Sequence, residues 1–338
     1  MANNAVTAKS RAVFGKMLQK DDIIVLTHKG TVSAAVAYLK AKPFYAAALA
    51  DTDEAAVHRE QAESLINRNV YDNYLRVLRY ASGSKDGIMS FYIRRLECEQ
   101  LIKAVIAIVT GEQEGFVASF PEYAADRFSF DPMKLATAKD LTTAASVIKG
   151  TIYHRALAPL FNEPEPDIDR ILTTISVCYI KWAFEQIDRT EHGATRERLK
   201  YFFLRKTDAD NLLMCLRLKA LGIENERIKE LMIPYHKRLR RKEIDLALGL
   251  PDAVPVLREM FVSERIIAEE VSDIPEINVN IADRRYFRHR LAVCTNETEA
   301  LYSLTMLMSA ECTDLCRIIE GLRYGLPPEE IEKYLTIM

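Results

Sequence analysis

Glycine and proline are scarce. The 338 residues include 12 of each, together about 7% against a typical total of about 12%. A chain so short of turn residues is predicted to be built mostly of long helices. Long apolar runs are missing as well. The longest, such as Phe44–Ala50 and Ala104–Val109, fall far short of the roughly 18 residues that cross a bilayer. The opening Met1-Ala2-Asn3-Asn4-Ala5 carries no apolar core or cleavage motif of a secretory leader. No sign of charge dominates: 46 basic residues face 48 acidic ones for a net charge of −2, which argues against a globally basic nucleic-acid binder. A soluble cytoplasmic protein is expected.

Catalytic motifs are absent too. There is no G-x-x-x-x-G-K-[ST], no G-x-G-x-x-G, no H-E-x-x-H and no G-x-S-x-G. Gly83-Ser84-Lys85-Asp86-Gly87 lacks the spacing of a phosphate-cradling loop and reads as a turn. The six cysteines, at 98, 178, 215, 294, 312 and 316, form no C-x-x-C pair and have no histidine at zinc-ligand spacing. They read as small buried thiols in a reducing compartment. The histidines at 28, 58, 154, 192, 236 and 289 are scattered, with no i,i+3 or i,i+4 pair. No catalytic residue, cofactor or metal is therefore predicted.

What the chain does contain is repetition. Tyr45, Tyr153 and Phe261 are 108 residues apart, and each has an aromatic partner 26 residues later, at Tyr71, Tyr179 and Phe287. A second signature recurs without a gap: Glu97-x-x-x-Leu101 leads to Gly111, Asp208-x-x-x-Leu212 to Gly222, and Glu311-x-x-x-Leu315 to Gly325. The glycines are predicted to stop helices, because the C′ position often needs φ > 0. The acids are expected near helix starts, where they would complement the positive N-terminal end. After Gly325, Leu326-Pro327-Pro328-Glu329-Glu330-Ile331 would restart a helix. Three similar helical bundles follow from this reading, covering residues 1–121, 122–233 and 234–338, with breaks near Pro121 and Pro234.

Two basic clusters stand out in the last third. One runs His236-Lys237-Arg238-Leu239-Arg240-Arg241-Lys242, the other Arg284-Arg285-Tyr286-Phe287-Arg288-His289-Arg290. Each is either a solvated helix face or a contact with an acidic protein surface or anionic headgroups. The candidate contact residues are Lys237, Arg238, Arg240, Arg241, Arg284, Arg285 and Arg288.

The segment from Glu311 through Ile331, Glu-Cys-Thr-Asp-Leu-Cys-Arg-Ile-Ile-Glu-Gly-Leu-Arg-Tyr-Gly-Leu-Pro-Pro-Glu-Glu-Ile, together with Ala2–Arg11, Met17-Leu18 and Val32–Tyr45, resembles the C-type stalk component of the archaeal/vacuolar-type (V-type) rotary ATPases, the equivalent of the d-type component of vacuolar ATPases. The family usually has Asn where this chain has Asp314, and Arg where it has Cys316. The resemblance implies an all-α funnel of three similar domains around a pseudo-threefold axis. It also implies a non-catalytic central-stalk role on the cytoplasmic face of the membrane, coupling the rotor shaft to the proteolipid ring during ion transport, with only peripheral membrane contact and no nucleic acid. The competing readings are a helical scaffold with the same three-unit fold and another partner, and an all-α enzyme with a site between bundles.

Overall fold

The structure, a computed structural model, describes residues 5–81 and 87–337. The Gly83-to-Asp86 part of the sequence-predicted turn lies outside the described residues. The protein is 70% helical, with no strand among the described residues. In chain order the helices are α1 (Ala5–Phe14), α2 (Lys20–Thr27), α3 (Val32–Lys40), α4 (Arg59–Leu78), α5 (Phe91–Thr110), α6 (Gln113–Ala118), α7 (Pro132–Ala136), α8 (Leu141–Val147), α9 (His154–Phe161), α10 (Ile168–Thr190), α11 (Gly193–Ala220), α12 (Asn225–Leu231), α13 (Arg241–Leu248), α14 (Ala253–Ser263), α15 (Pro275–Val293), α16 (Glu297–Arg323) and α17 (Pro328–Glu332).

The helix ends follow local chemistry. Thr31, Asp140, Asp167 and Asn296 each accept a backbone N–H from three residues ahead, capping α3, α8, α10 and α16. Pro275 and Pro328 open α15 and α17, where the missing N–H costs nothing. Gly111, Gly222 and Gly325 follow the ends of α5, α11 and α16 with φ of 78°, 75° and 65°. At each, the next residue's N–H returns five residues back, Glu112 to Ala107, Ile223 to Leu218 and Leu326 to Gly321, all at 3.0 Å. These are Schellman closures, and the left-handed residue they require is readily supplied by glycine. Gly321 serves differently: a Cβ there would stand 2.6 Å from Ile331 Cγ1, so its absence lets α17 pack onto α16.

The chain falls into two compact units, residues 1–85 with 267–338 and residues 86–266. In the first, α16 packs against α4, α1 and α15. Its core includes Val6, Ile66, Val70, Tyr74, Leu301, Leu304, Met308 and Ile318, all at most 1% exposed. In the second, α5 packs on α10, and α11 on α14, with α10 and α11 also in contact. Leu101, Val105, Leu135, Ala144, Ile148, Leu157, Ile171 and Ile175 are sealed there. Tyr45, Tyr153 and Phe261 are all fully buried, as are most of their aromatic partners; Tyr179 is half-buried. No helix among the described residues is long and apolar enough to cross a membrane.

Candidate functional site

The three repeated acids do not lie at helix starts. Glu97 sits in the second turn of α5, and Asp208 and Glu311 lie near the middles of α11 and α16. All three side chains are buried, at 0–2% exposure. The expectation that they cap helices is corrected here: buried carboxylates must be hydrogen-bonded, and these reach across the fold to do it. Glu97 Oε2 accepts the Ser129 N–H at 2.6 Å and the Arg94 guanidinium at 2.8 Å. Asp208 accepts the N–H of Lys237 at 3.1 Å and of Arg238 at 2.8 Å. Glu311 accepts the Leu18 N–H at 3.0 Å on one oxygen and the Tyr45 hydroxyl at 2.7 Å on the other.

Each acid is followed three residues later by a second buried polar side chain: Gln100, Asn211 and Asp314. Asn211 exchanges two 2.9 Å hydrogen bonds with the Ile233 backbone. Asp314 accepts from the Thr336 N–H and hydroxyl and from the Ile337 N–H, and pairs with Arg284 at 3.2 Å. Each of the two clips on α11 and α16 thus fastens a long helix to a segment that would otherwise end in unpaired backbone groups. Sequence reading missed this. Its only trace was the recurrence of a polar residue one helical turn after the acid.

Burial governs the electrostatics of these clips. Desolvation pushes the Glu311 carboxyl up from 4.5 to about 7, against the pull of the Tyr45 hydroxyl, Arg284 and the Leu18 N–H. Asp208 and Asp314 are raised for the same reason, and the backbone N–H groups of Arg238 and Lys237 oppose the rise at Asp208. Tyr45 is held well above its ordinary value by burial and by the neighbouring Glu311 charge, so it remains the hydrogen-bond donor. Burial likewise pushes the Cys215 thiol up to about 12. Cys98, Cys215, Cys294 and Cys312 are buried, while Cys178 and Cys316 are partly so. No group of three or more potential metal ligands is found among the described residues.

The two basic clusters, alike as text, differ in structure, and they belong to different compact units. The first is displayed by the Asp208 clip. Its carboxylate draws the backbone of Lys237 and Arg238 inward, and Leu239 is buried at 1% exposure. That burial contributes about 2 kcal/mol. The side chains of Lys237, Arg238, Arg240, Arg241 and Lys242 consequently stand exposed. Of these five, Arg240 alone is ion-paired among the described residues, to Glu243 at 3.8 Å in a loose surface contact.

The second cluster lies along α15 and is divided between the fold and the surface. Arg284 is tied to Asp314 and Thr336, Arg285 to Glu269 at 3.0 Å, and Arg290 to the buried Glu299. Arg288 stays exposed. The 237–242 segment is therefore an exposed positive stretch, and on α15 Arg285 and Arg288 are exposed too.

No curated protein sequence matches the chain significantly. A sequence profile of the ATP synthase (C/AC39) subunit matches residues 6–334. That span takes in nearly all of both compact units, the three repeated acids and the exposed basic segment, and the chain belongs to the C/AC39 subunit family of V-type ATP synthases.

Proposed function

We propose that this protein is the non-catalytic central-stalk component that couples the rotor shaft to the membrane proteolipid ring during ion transport. Family membership over residues 6–334 carries the reading. The three repeats at 108-residue spacing are taken as three related bundles, arranged with pseudo-threefold symmetry. The protein would act on the cytoplasmic face, peripheral to the bilayer, with the ring supplying the anchorage.

The chemistry of the chain supports such a role. A part that passes torque has to resist shear between its helices. Close-packed interiors deform little, and buried carboxylates holding backbone N–H groups add directional restraint to that packing. The exposed segment Lys237, Arg238, Arg240 and Arg241 supplies positive charge for docking on negative charge of the membrane sector. Such attraction acts over roughly 8 Å at physiological salt. Arg284 is assigned to the fold instead, since it is ion-paired to the buried Asp314, whereas Arg285 pairs with Glu269 at the exposed surface.

Affinity isolation from native membranes tests the assembly: the shaft and proteolipid components should co-isolate with the tagged chain. Rebinding to stripped membrane sectors across a salt series tests the contact. The chain with Lys237, Arg238, Arg240 and Arg241 changed to Gln should rebind less well at low salt and converge with the parent at high salt. Isolation without either partner would overturn the coupling role. Unchanged rebinding at every salt concentration would remove the basic segment from the interface.

A further inference from the structure

We propose that the cleft between α1 and α4 is a binding site for a phosphate group. The cleft, of about 60 Å³, is lined by Lys9, Val13 and Lys16 from α1 and the turn after it, by Phe44, and by Asn73 and Arg76 from α4. Its apolar floor is Phe44 and Val13, both at 5% exposure. Its mouth carries three cations. No carboxylate lines it, although the chain holds 48 acidic residues. None of the three cations is ion-paired among the described residues, whereas most neighbouring charges on α4 have partners, Arg59 with Glu320 and Arg68 with Asp72 among them.

Two of the three cations are held in place. Asn69 donates from Nδ2 to the Phe44 carbonyl, Asn73 donates from Nδ2 to the Asn69 carbonyl and side-chain oxygen, and Arg76 Nη1 donates to Asn73 Oδ1 at 3.2 Å. Asn69 and Asn73 are buried, at 4% and 3% exposure. This chain of buried amides fixes one edge of the guanidinium and leaves its remaining N–H groups to a ligand. Lys9 Nζ stands over the Tyr80 ring, 5.5 Å from its centroid.

Three positive side chains line one opening with no carboxylate beside them, which favours an anion there. An arginine fork with two ammonium groups suits a tetrahedral oxyanion. The small space, about 60 Å³, suits a compact oxyanion. The group bound is therefore the phosphate itself, either free or as a monoester headgroup whose remainder stays outside the cleft.

The test uses the full chain in phosphate-free buffer at constant ionic strength. Inorganic phosphate is titrated calorimetrically against the parent, a Lys9→Gln/Lys16→Gln double variant, Arg76→Lys, and a Lys139→Gln/Lys149→Gln control at two exposed lysines of the second unit. Flotation with vesicles of phosphatidylcholine containing phosphatidic acid, or phosphatidylglycerol at equal surface charge, separates headgroup from free anion. One-to-one saturable phosphate binding is expected, weakened about tenfold or more in the double variant and several-fold in Arg76→Lys, where charge persists but the fork is lost. The control should bind like the parent. Binding of phosphate alone identifies the free anion. Preference for phosphatidic acid over phosphatidylglycerol, lost in the double variant, identifies the monoester headgroup. The proposal is overturned if neither phosphate nor phosphatidic acid is selected, or if the control loses as much binding as the double variant. All variants alter exposed or half-buried side chains, and unchanged far-UV circular dichroism confirms their folding.

Discussion

Glu311→Gln isolates the energetic role of the buried clip in the first unit. In the folded protein this carboxyl is raised from 4.5 to about 7, mainly by burial. The native state therefore keeps a proton over a range where the unfolded chain has lost it. A group shifted this way contributes its full stabilisation below about pH 4.5, and that contribution is lost as pH rises through about 7. At about 1.4 kcal/mol per pKa unit, the shift corresponds to about 3 kcal/mol. Glutamine does not titrate. It can still accept the Leu18 N–H with its oxygen, while the Tyr45 contact reverses, the amide nitrogen donating to the phenol oxygen; that change is the same at every pH and leaves the pH dependence intact. Asp22, Asp140 and Asp167, whose carboxyls are lowered by their hydrogen bonds, contribute the opposite pH slope. They are common to both chains and cancel in the difference. Urea unfolding of parent and variant at several pH values, with matching m values as the check on two-state behaviour, gives that difference. The parent should lose about 2–3 kcal/mol relative to the variant between pH 5 and pH 8. A difference that stays flat to within about 0.5 kcal/mol, or that moves the other way, would mean that Glu311 is ionised throughout and that burial does not dominate it.

Three further substitutions probe the clips and caps. Gly222→Ala should cost about 1 kcal/mol, because alanine is strained at the φ of 75° that closes α11; equal urea midpoints for the two chains would contradict the capping account. Arg284→Ala should destabilise by about 3 kcal/mol by leaving the buried Asp314 its hydrogen bonds from Thr336 and Ile337 but, among the described residues, only the 3.7 Å contact to Arg317 as an ion pair, while Arg288→Ala should stay within about 0.5 kcal/mol. Similar losses at both positions would show that the two arginines are not distinguished by their partners. Asp208→Ala should speed hydrogen exchange at the Lys237 and Arg238 amides more than across the first turns of α11, and uniform acceleration over the whole helix would refute a local clip.

The chain's local grammar was legible from the text. Few glycines and prolines meant helices, the acid–Leu–Gly spacing marked three helix ends, and Pro327-Pro328 with the acids after it marked a restart. These features depend on residues within one or two turns of each other, so spacing alone carries them. The family, too, could be read from the Glu311–Ile331 segment.

What packing decided was which polar groups find partners. Glu97, Asp208 and Glu311 look like surface or capping acids because a charge in a helical stripe is normally solvated. Their partners are 32, 29 and 293 residues away in sequence, and no local period encodes that distance. Arg284 and Arg288 share a helix and a chemistry, yet one is half-buried against Asp314 and the other faces solvent. Lys9, Lys16 and Arg76 carry no motif at all, and only the packing of α1 on α4 brings them to one opening. A charged side chain's role is set by whether burial forces it to find a partner, and burial is a property of the assembled fold.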